Sequence, residues 1–298
     1  MRIMTEAVGC FTSATTIKMI QSSGYISIGT DCNPNCFAKE LCDEFYSVPL
    51  ATASNSKEFL KNLVLEKKID LIMPTLDDGL LNWAEISEEL SKLGVAVALS
   101  PVETIRIFQD KWSTYQFFVN NNIPTPKTSL EQIYDLVKPR NGRGGSGVKI
   151  TKEKVDMDGM ISQEVLVGEE YTIDVFCDID GEPVYIVPRK RLNVIDGKSS
   201  AGIVVENEAI VNWVKLICKA TTFIGIVNMQ CFVDEEGNIT FTEINPRKGG
   251  GTVLGMAATE NWIPLAVETF VNKKKVKANK PIMYGLKMGR FYDEVFYL

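Results

Sequence analysis

A chain of 298 residues, 45% apolar and 23% charged, has the composition of a globular protein able to bury one large core or two ordinary ones. Its net charge of −6 and pI near 5.0 argue against a nucleic-acid or anionic-membrane surface. It contains no histidine, so Ser–His and Cys–His nucleophilic chemistry is excluded.

No apolar run approaches the length of a membrane span and the N-terminus has no signal-peptide pattern, so the expected location is cytoplasmic. The seven cysteines are scattered and odd in number, as suits free thiols of a reducing compartment. Cys32, Cys36 and Cys42 are close in sequence, yet they form no CxxC pair, so no zinc is expected there.

Residues 1 to about 100 alternate strand-like and helix-like patterns. Ile3–Val8 precedes a helix over Thr12–Gln21 with Thr12 or Ser13 as N-cap. Tyr25–Asp31 is a strand, Glu44–Pro49 a short extended piece, and Ser56–Glu66 a helix. Asp70–Pro74 and Gly94–Leu99 are buried strands on either side of an amphipathic helix, Asp77–Leu93. Such alternation implies an α/β, doubly wound parallel sheet. Gly9 stands without the GxGxxG fingerprint, which argues against a dinucleotide. Asp31 and Asp77–Asp78–Gly79 fall at strand C-terminal ends, where they serve either a substrate or turns and caps.

Ser100–Pro101 opens a linking helix and Asp110–Asn121 forms another, followed by the stiff connection Ile123–Lys127. In Tyr134–Ile150 the letters Gly142-x-Gly144-x-x-Gly147 match a dinucleotide fingerprint, but a strand and not a helix follows. Two readings stand: a flexible surface turn, or a hairpin tip that closes over phosphates with Lys138, Arg140 and Arg143 supplying charge.

Ile161–Asp174 is a strand, a turn at Gly168 and a second strand; Pro183–Leu192 returns with Arg189 and Arg191 on one face, toward an anion. Asn207–Phe223 is an amphipathic helix. Gly225–Val233 and the strand ending at Glu243–Asn245 form a hairpin through Asp234–Asn238, which sets Gln230 beside Glu243 and Asn245. Three oxygen donors next to Arg247 make a seat for Mg²⁺ and phosphate, or the polar side of an ordinary hairpin. Gly249–Asn261 is rich in Gly and Ala, Ile263–Val271 is a helix, Lys273–Lys280 a solvated basic loop, and Met283–Tyr297 a closing strand.

The ordered set DK (Asp110–Lys111), VKPRNGRGGSGV (Val137–Val148), QEVLVGEEYTIDV (Gln163–Val175), NMQ (Asn228–Gln230) and EINPR (Glu243–Arg247) resembles the ATP-grasp superfamily, in the carbamoyl-phosphate-synthetase-like branch of stand-alone carboxylate–amine ligases. The closing GRFYDEVFYL is similar to the ends of such chains. The resemblance implies a Rossmann-like pre-ATP-grasp domain over 1–100. An ATP-grasp domain over 101–298 would follow, with a small lid at about 123–162, a C-terminal subdomain at about 163–298 and an antiparallel sheet.

It also implies roles. Lys111 and Lys138 would hold the ATP phosphates under a flap of Gly144, Gly145, Ser146 and Gly147. Gln163, Glu164, Val165 and Leu166 would meet the adenine, Glu170 the ribose, and Arg189 the cofactor. Gln230, Glu243 and Asn245 would hold Mg²⁺ or Mn²⁺, with Arg247, Lys138 and Asn245 acting in phosphoryl transfer. Two departures follow: the lid segments 129–135 and 151–160 are too short for the family's usual lid helices, and Gln230 stands where some relatives, such as D-alanine–D-alanine ligases, have an acid.

The implied activity is an ATP-dependent ligase that phosphorylates a carboxylate and couples it to an amine or thiol, releasing ADP and phosphate. Phosphotransfer without ligation, or a silent nucleotide-binding regulatory module, are the alternatives; intact Lys111, Lys138, Glu243, Asn245 and Arg247 count against the module. Expected partners are a small-molecule carboxylate and amine, with no nucleic acid, no membrane, and a homodimer as the candidate assembly.

Overall fold

The computed structural model describes residues 1–298 apart from 143–144, 196–197, 292–293 and 297–298, and the side chains of 193–199 also lie outside that description. Its first layer is a parallel sheet of β1 (Arg2–Thr5), β2 (Ile26–Asp31), β3 (Glu44–Ser47), β4 (Leu71–Met73) and β5 (Ala96–Val97) in the order β3-β2-β1-β4-β5. Parallel neighbours need crossover connections, supplied by α1 (Ala14–Ser22), α2 (Ser56–Glu66) and α3 (Asp77–Lys92). Strand order reverses between β1 and β4, so the loops leaving these two strands flank a crevice of the kind that takes ligands in such sheets. Ser13 precedes α1 but its hydroxyl does not cap it; it donates to the carbonyls of Val8 and Cys10 instead.

α4 (Val102–Gln109) and α5 (Lys111–Asn120) carry the chain across. Asp110 caps α5, accepting from Trp112 N at 2.7 Å and Ser113 N at 3.0 Å. A small antiparallel sheet follows: β6 (Thr128–Ser129), β7 (Leu136–Pro139), β8 (Lys149–Ile150) and β9 (Met160–Gln163), ordered β6-β9-β7-β8. No helix lies within it among the described residues.

The third layer is a six-stranded antiparallel sheet, ordered β14-β13-β10-β11-β12-β15. Its strands are β10 (Glu169–Cys177), β11 (Pro183–Ile195), β12 (Lys198–Val204), β13 (Gly225–Val233), β14 (Ile239–Asn245) and β15 (Lys287–Gly289). α6 (Glu208–Ala220), α7 (Thr252–Ala257) and α8 (Trp262–Ala266) pack around it. The sequence reading misses β12, where a lysine and two serines break the apolar alternation. Of the expected closing strand over Met283–Tyr297, residues 292–293 and 297 lie outside the described residues, and among the described ones only Lys287–Gly289 is strand; the expected helix Ile263–Val271 passes from α8 into a single π turn over Val267–Val271. At Arg290 the ladder ends on a bond to Ser200 O, and the guanidinium turns inward to Gly250 O.

Alternation along β10 and β13 divides the work of this sheet. Ile173, Val175, Met229 and Cys231 point to one face, where they form a core with Ile210, Val214 and Ile217 of α6. On the other face Phe176, Tyr185, Val187 and Ile226 join Ile3, Leu71 and Met73 of the parallel sheet around Trp262. Trp262 is fully buried, stacks on Tyr185 at 5.9 Å between ring centroids, and meets Phe176 edge-on at 5.8 Å. The parallel and antiparallel sheets therefore share one core. Among the described residues no helix is long and apolar enough to cross a membrane.

Trp262→Ala removes the largest side chain of that shared core and is expected to cost about 3–5 kcal/mol. Urea denaturation followed by circular dichroism measures it; a loss below about 1 kcal/mol would mean that the core between the sheets contributes little.

Candidate active site

The residues of β10, β11, β13 and β14 that alternate with the apolar ones form the floor of a cavity of about 790 Å³, which also reaches the loops after β1 and β4. Gln230 is in register with Glu243, and Asn228 with Asn245. Gln230, Glu243 and Asn245 thus face one cavity, as the hairpin reading expected. The side chains of Gln230 and Glu243 bond to no described residue, while Asn245 Oδ1 accepts from Arg247 Nη2 at 3.2 Å. A second cavity of about 520 Å³ holds Lys111 and Gly142 and shares Glu243 and Asn245 with the first.

Three cations lie around this junction: Lys111 and Arg247 line the cavities, and Lys138 feels the charges of Glu243 and Lys111. Lys111 opens α5, with Nζ donating to Gly142 O at 3.0 Å. Lys138 extends from β7 and donates to Gln163 Oε1 at 2.8 Å. Loss of hydration brings its ammonium down from 10.5 to about 8; Lys111 pushes the same way, and Glu243 opposes both. Arg247 forms a bidentate pair with Asp77, Nε to Oδ1 at 2.6 Å and Nη2 to Oδ2 at 2.5 Å. Asp77 is therefore the counter-ion of the cation after β14, not a turn residue. The sequence signal was an acid at the end of a buried parallel strand, but 170 residues separate the partners. Asp31 has turn duty, accepting from Gly9 N and Asn33 N at 2.8 Å each.

The hairpin tip carries Gly145 and Gly147 at φ +73° and +74°, and a Cβ on Gly147 would meet Pro139 Cγ at 2.9 Å. Gly145 reaches the large cavity and Ser146 is exposed; Gly144 and Arg143 lie outside the described residues. Arg140 is held by Asp110, Nη2 to Oδ2 at 2.6 Å. The segment after β9 stands apart from both cavities. Gln163 is buried, fixed by Lys138 and by Thr128 Oγ1 at 2.8 Å, and Glu164 pairs with Lys127 at 3.1 Å. Val165 is exposed and Leu166 half-buried. Glu170 lines the cavity and accepts from Arg191 Nη1 at 2.5 Å.

Arg189 differs from the expectation of an arginine free for an anion. It is fully buried and paired with Asp174, through Nε and through Nη2 at 3.1 Å. Asp174, which the sequence reading missed, also accepts from Asn228 Nδ2 at 2.8 Å and Thr252 Oγ1 at 2.7 Å.

A model of "ATP-grasp in the biosynthetic pathway with Ter operon" matches residues 156–290, and a model of the "PylC-like, N-terminal domain" matches 7–98. The chain belongs to the ATP-grasp superfamily. It is 23% identical over 270 residues to a carbamoyl-phosphate synthase of Methanobrevibacter smithii, covering 80% of this chain and 72% of that one. It is also 23% identical to the carbamoyl phosphate synthase large chain of Clostridium acetobutylicum, over 91% of this chain but 28% of that one. To the 3-methyl-D-ornithine–L-lysine ligase of Methanosarcina barkeri it is 25% identical, over 53% of this chain and 43% of the ligase.

The ATP-grasp fold is shared with two solved structures. One is the biotin carboxylase domain of Hydrogenobacter thermophilus 2-oxoglutarate carboxylase, a dimer in complex with MgADP, ADP and bicarbonate, at TM-score 0.74, 15% identity and coverage of 96% and 73%. The other is an L-amino acid ligase of Bacillus licheniformis, at TM-score 0.73, 17% identity and coverage of 93% and 75%. By family the chain is an ATP-grasp enzyme of the ADP-forming ligase group.

The ATP-grasp donor set fits a hard cation shared with phosphates. Glu243 offers a carboxylate and Gln230 and Asn245 offer amide oxygens, and Mg²⁺ is commonly held by one or two carboxylates plus substrate phosphate. Among the described residues no three of His, Cys, Asp and Glu come together, so Glu243 carries the anionic charge of this set.

Because the folded pKa of Lys138 lies below the ordinary lysine value, the folded chain binds fewer protons above about 8, and stability rises with pH from there toward 10.5. The charge that Lys138 would offer a phosphate is lost over the same range. Affinity for Mg²⁺–ATP, measured by titration calorimetry, is expected to fall above pH 8 by up to about tenfold per unit. Lys138→Arg should flatten the profile, since a guanidinium keeps its charge. An unchanged slope would assign the titration to another group.

Proposed function

We propose that the chain activates a small carboxylic acid as its acyl phosphate and joins it to an amine or thiol, with ATP as co-substrate and ADP and phosphate as products. The observation that carries this reading is a carboxylate, Glu243, shared by two cavities that Lys111 and Arg247 line, with Lys138 near enough to feel the charges of Glu243 and Lys111. Cations of this kind suit a γ-phosphoryl group in transfer, whose charge is spread over its oxygens. The M. barkeri ligase and the B. licheniformis amino acid ligase support an amine as the second substrate.

In this reading Gln230, Glu243 and Asn245 hold Mg²⁺, which offsets phosphate charge. Lys111 and Lys138 position the phosphates, and Gly145–Gly147 cover them. Arg247, aimed by Asp77, sits against the transferring group. A substrate carboxylate oxygen bonds to the γ-phosphorus as the bond to the ADP oxygen breaks. The amine nitrogen then bonds to the acyl carbon, phosphate leaves with the C–O electron pair, and the amine proton passes to solvent. Positioning and charge neutralisation carry both steps, which suits a site without imidazole. We place the division between the N-terminal and ATP-grasp parts near residue 100, with the lid at about 123–162.

Hydroxylamine traps acyl phosphates. Protein, Mg²⁺–ATP and pooled small carboxylic acids should therefore yield hydroxamate with equimolar ADP and phosphate. Lys138→Ala should lower the rate by about 10²–10³-fold, as loss of a preorganised charge does. Release of AMP and pyrophosphate would overturn this chemistry, and tight ATP binding without turnover on any acid would favour a binding module.

A further inference from the structure

Beyond Arg247, toward α7 and the loop after β1, the large cavity changes character. Arg189, 1% exposed, lines it and leaves Nη1 without a hydrogen-bond partner, although a buried guanidinium N–H is costly to leave unpaired. Lys248, 8% exposed, lines the same end, and its Nζ makes no hydrogen bond or ion pair with any described residue. Arg290 lies close by, donating to Gly250 O at 2.5 Å with its guanidinium over the ring of Phe11. Lys248 feels the charges of Arg290, Arg247 and Asp174, and Arg290 feels that of Arg189. Cationic charge thus gathers at this end, with Arg189 paired to Asp174 and Arg247 to Asp77.

The turn packs tightly against this end. A Cβ on Gly251 would stand 2.8 Å from Arg189 Nη1, one on Gly249 2.8 Å from Asn228, and one on Gly250 3.2 Å from Thr12. Only a turn without side chains can lie this close to Arg189 and Asn228, and it adds none of its own to this end of the cavity.

We propose that this end of the cavity is an anion subsite built by Arg189, Lys248, Arg290 and the Gly249–Gly251 turn, and that the acid activated here is a dianion, a small carboxylic acid bearing a second carboxylate or a phosphate. This assignment rests on the ligase reading for the reacting carboxylate, but the subsite itself is a binding claim.

The test uses the full chain and three groups of probes matched in length: monocarboxylates, dicarboxylates, and carboxylates bearing a phosphate. Calorimetry without nucleotide reads binding, and the hydroxylamine assay reads KM and kcat. One dianionic group should bind at least tenfold tighter than the monocarboxylates and show a correspondingly lower KM. Which group does so tells carboxylate from phosphate. Lys248→Met should remove that preference by raising KM while leaving kcat within about threefold, and Lys248→Arg should restore it. Replacing a buried lysine by methionine is tolerable to the fold; should the variant fail to fold, Arg290→Gln reads the same loss.

Hydroxamate formed equally well from monocarboxylates and dianions, or a preference unmoved by Lys248→Met, would overturn the subsite and leave the ligase reading standing. Charge-dependent binding of dianions without hydroxamate would uphold the subsite and remove the ligase reading. No binding by any probe at 10 mM, on the order of the weakest affinities worth calling specific, would overturn the proposal.

Discussion

One buried carboxylate holds the working face of this molecule together. Asp174 has no solvent exposure, and it accepts hydrogen bonds from Arg189, Asn228 and Thr252. These donors sit on β11, β13 and α7, so a single anion fixes two strands of the floor and the helix after the glycine turn. A buried charge is tolerable only when its oxygens are satisfied in this way. The requirement reaches into the sequence. Gly255 is needed because a Cβ there would stand 2.8 Å from Asp174 Oδ2, and Gly251 because one there would strike Arg189. The run of small residues after EINPR is therefore a packing consequence of a charge beneath it.

Around that anchor the two faces of the antiparallel sheet take separate tasks. One is apolar throughout and closes on α6. The other is apolar where it meets Trp262 and polar where it lines the cavity. The Asp77–Arg247 pair joins the parallel sheet to the site, since Asp77 begins α3 and Arg247 follows β14. Under the proposed function, a cation that would face phosphate is held by an acid from another layer before any ligand arrives, which lowers the entropy that the reaction must spend on positioning. The half-buried setting of that pair, 13% and 17% exposed, weakens screening by solvent and keeps the geometry well defined.

Much of this was legible in the residues. Strand–helix alternation gave the parallel sheet, and period-two patterning around Asp234–Asn238 put Gln230 opposite Glu243, as the register shows. Local rules suffice for such features because strand faces and tight turns are set by near neighbours. What the sequence hid was long-range. Asp174 reads as one acid inside an apolar strand, and nothing local says that Arg189 covers it. Lys248 reads as an ordinary surface lysine until the fold buries it. The closing strand is short among the described residues, and the Arg290 side chain beside it turns to Gly250 O, a contact 40 residues away that no local pattern announces. The segment 163–166 keeps its motif letters, yet its polar side chains are spent on Lys138, Thr128 and Lys127.

The acyl phosphate is the point on which the chemical reading turns, and its oxygen can be followed directly. A reactive acid carrying ¹⁸O in its carboxylate is turned over with Mg²⁺–ATP and an amine or hydroxylamine, and the released phosphate is examined by ³¹P NMR. Attack of the carboxylate on the γ-phosphorus, followed by C–O cleavage, should leave one ¹⁸O in each phosphate. Unlabelled phosphate alongside the coupled product, or label recovered in AMP, would contradict it.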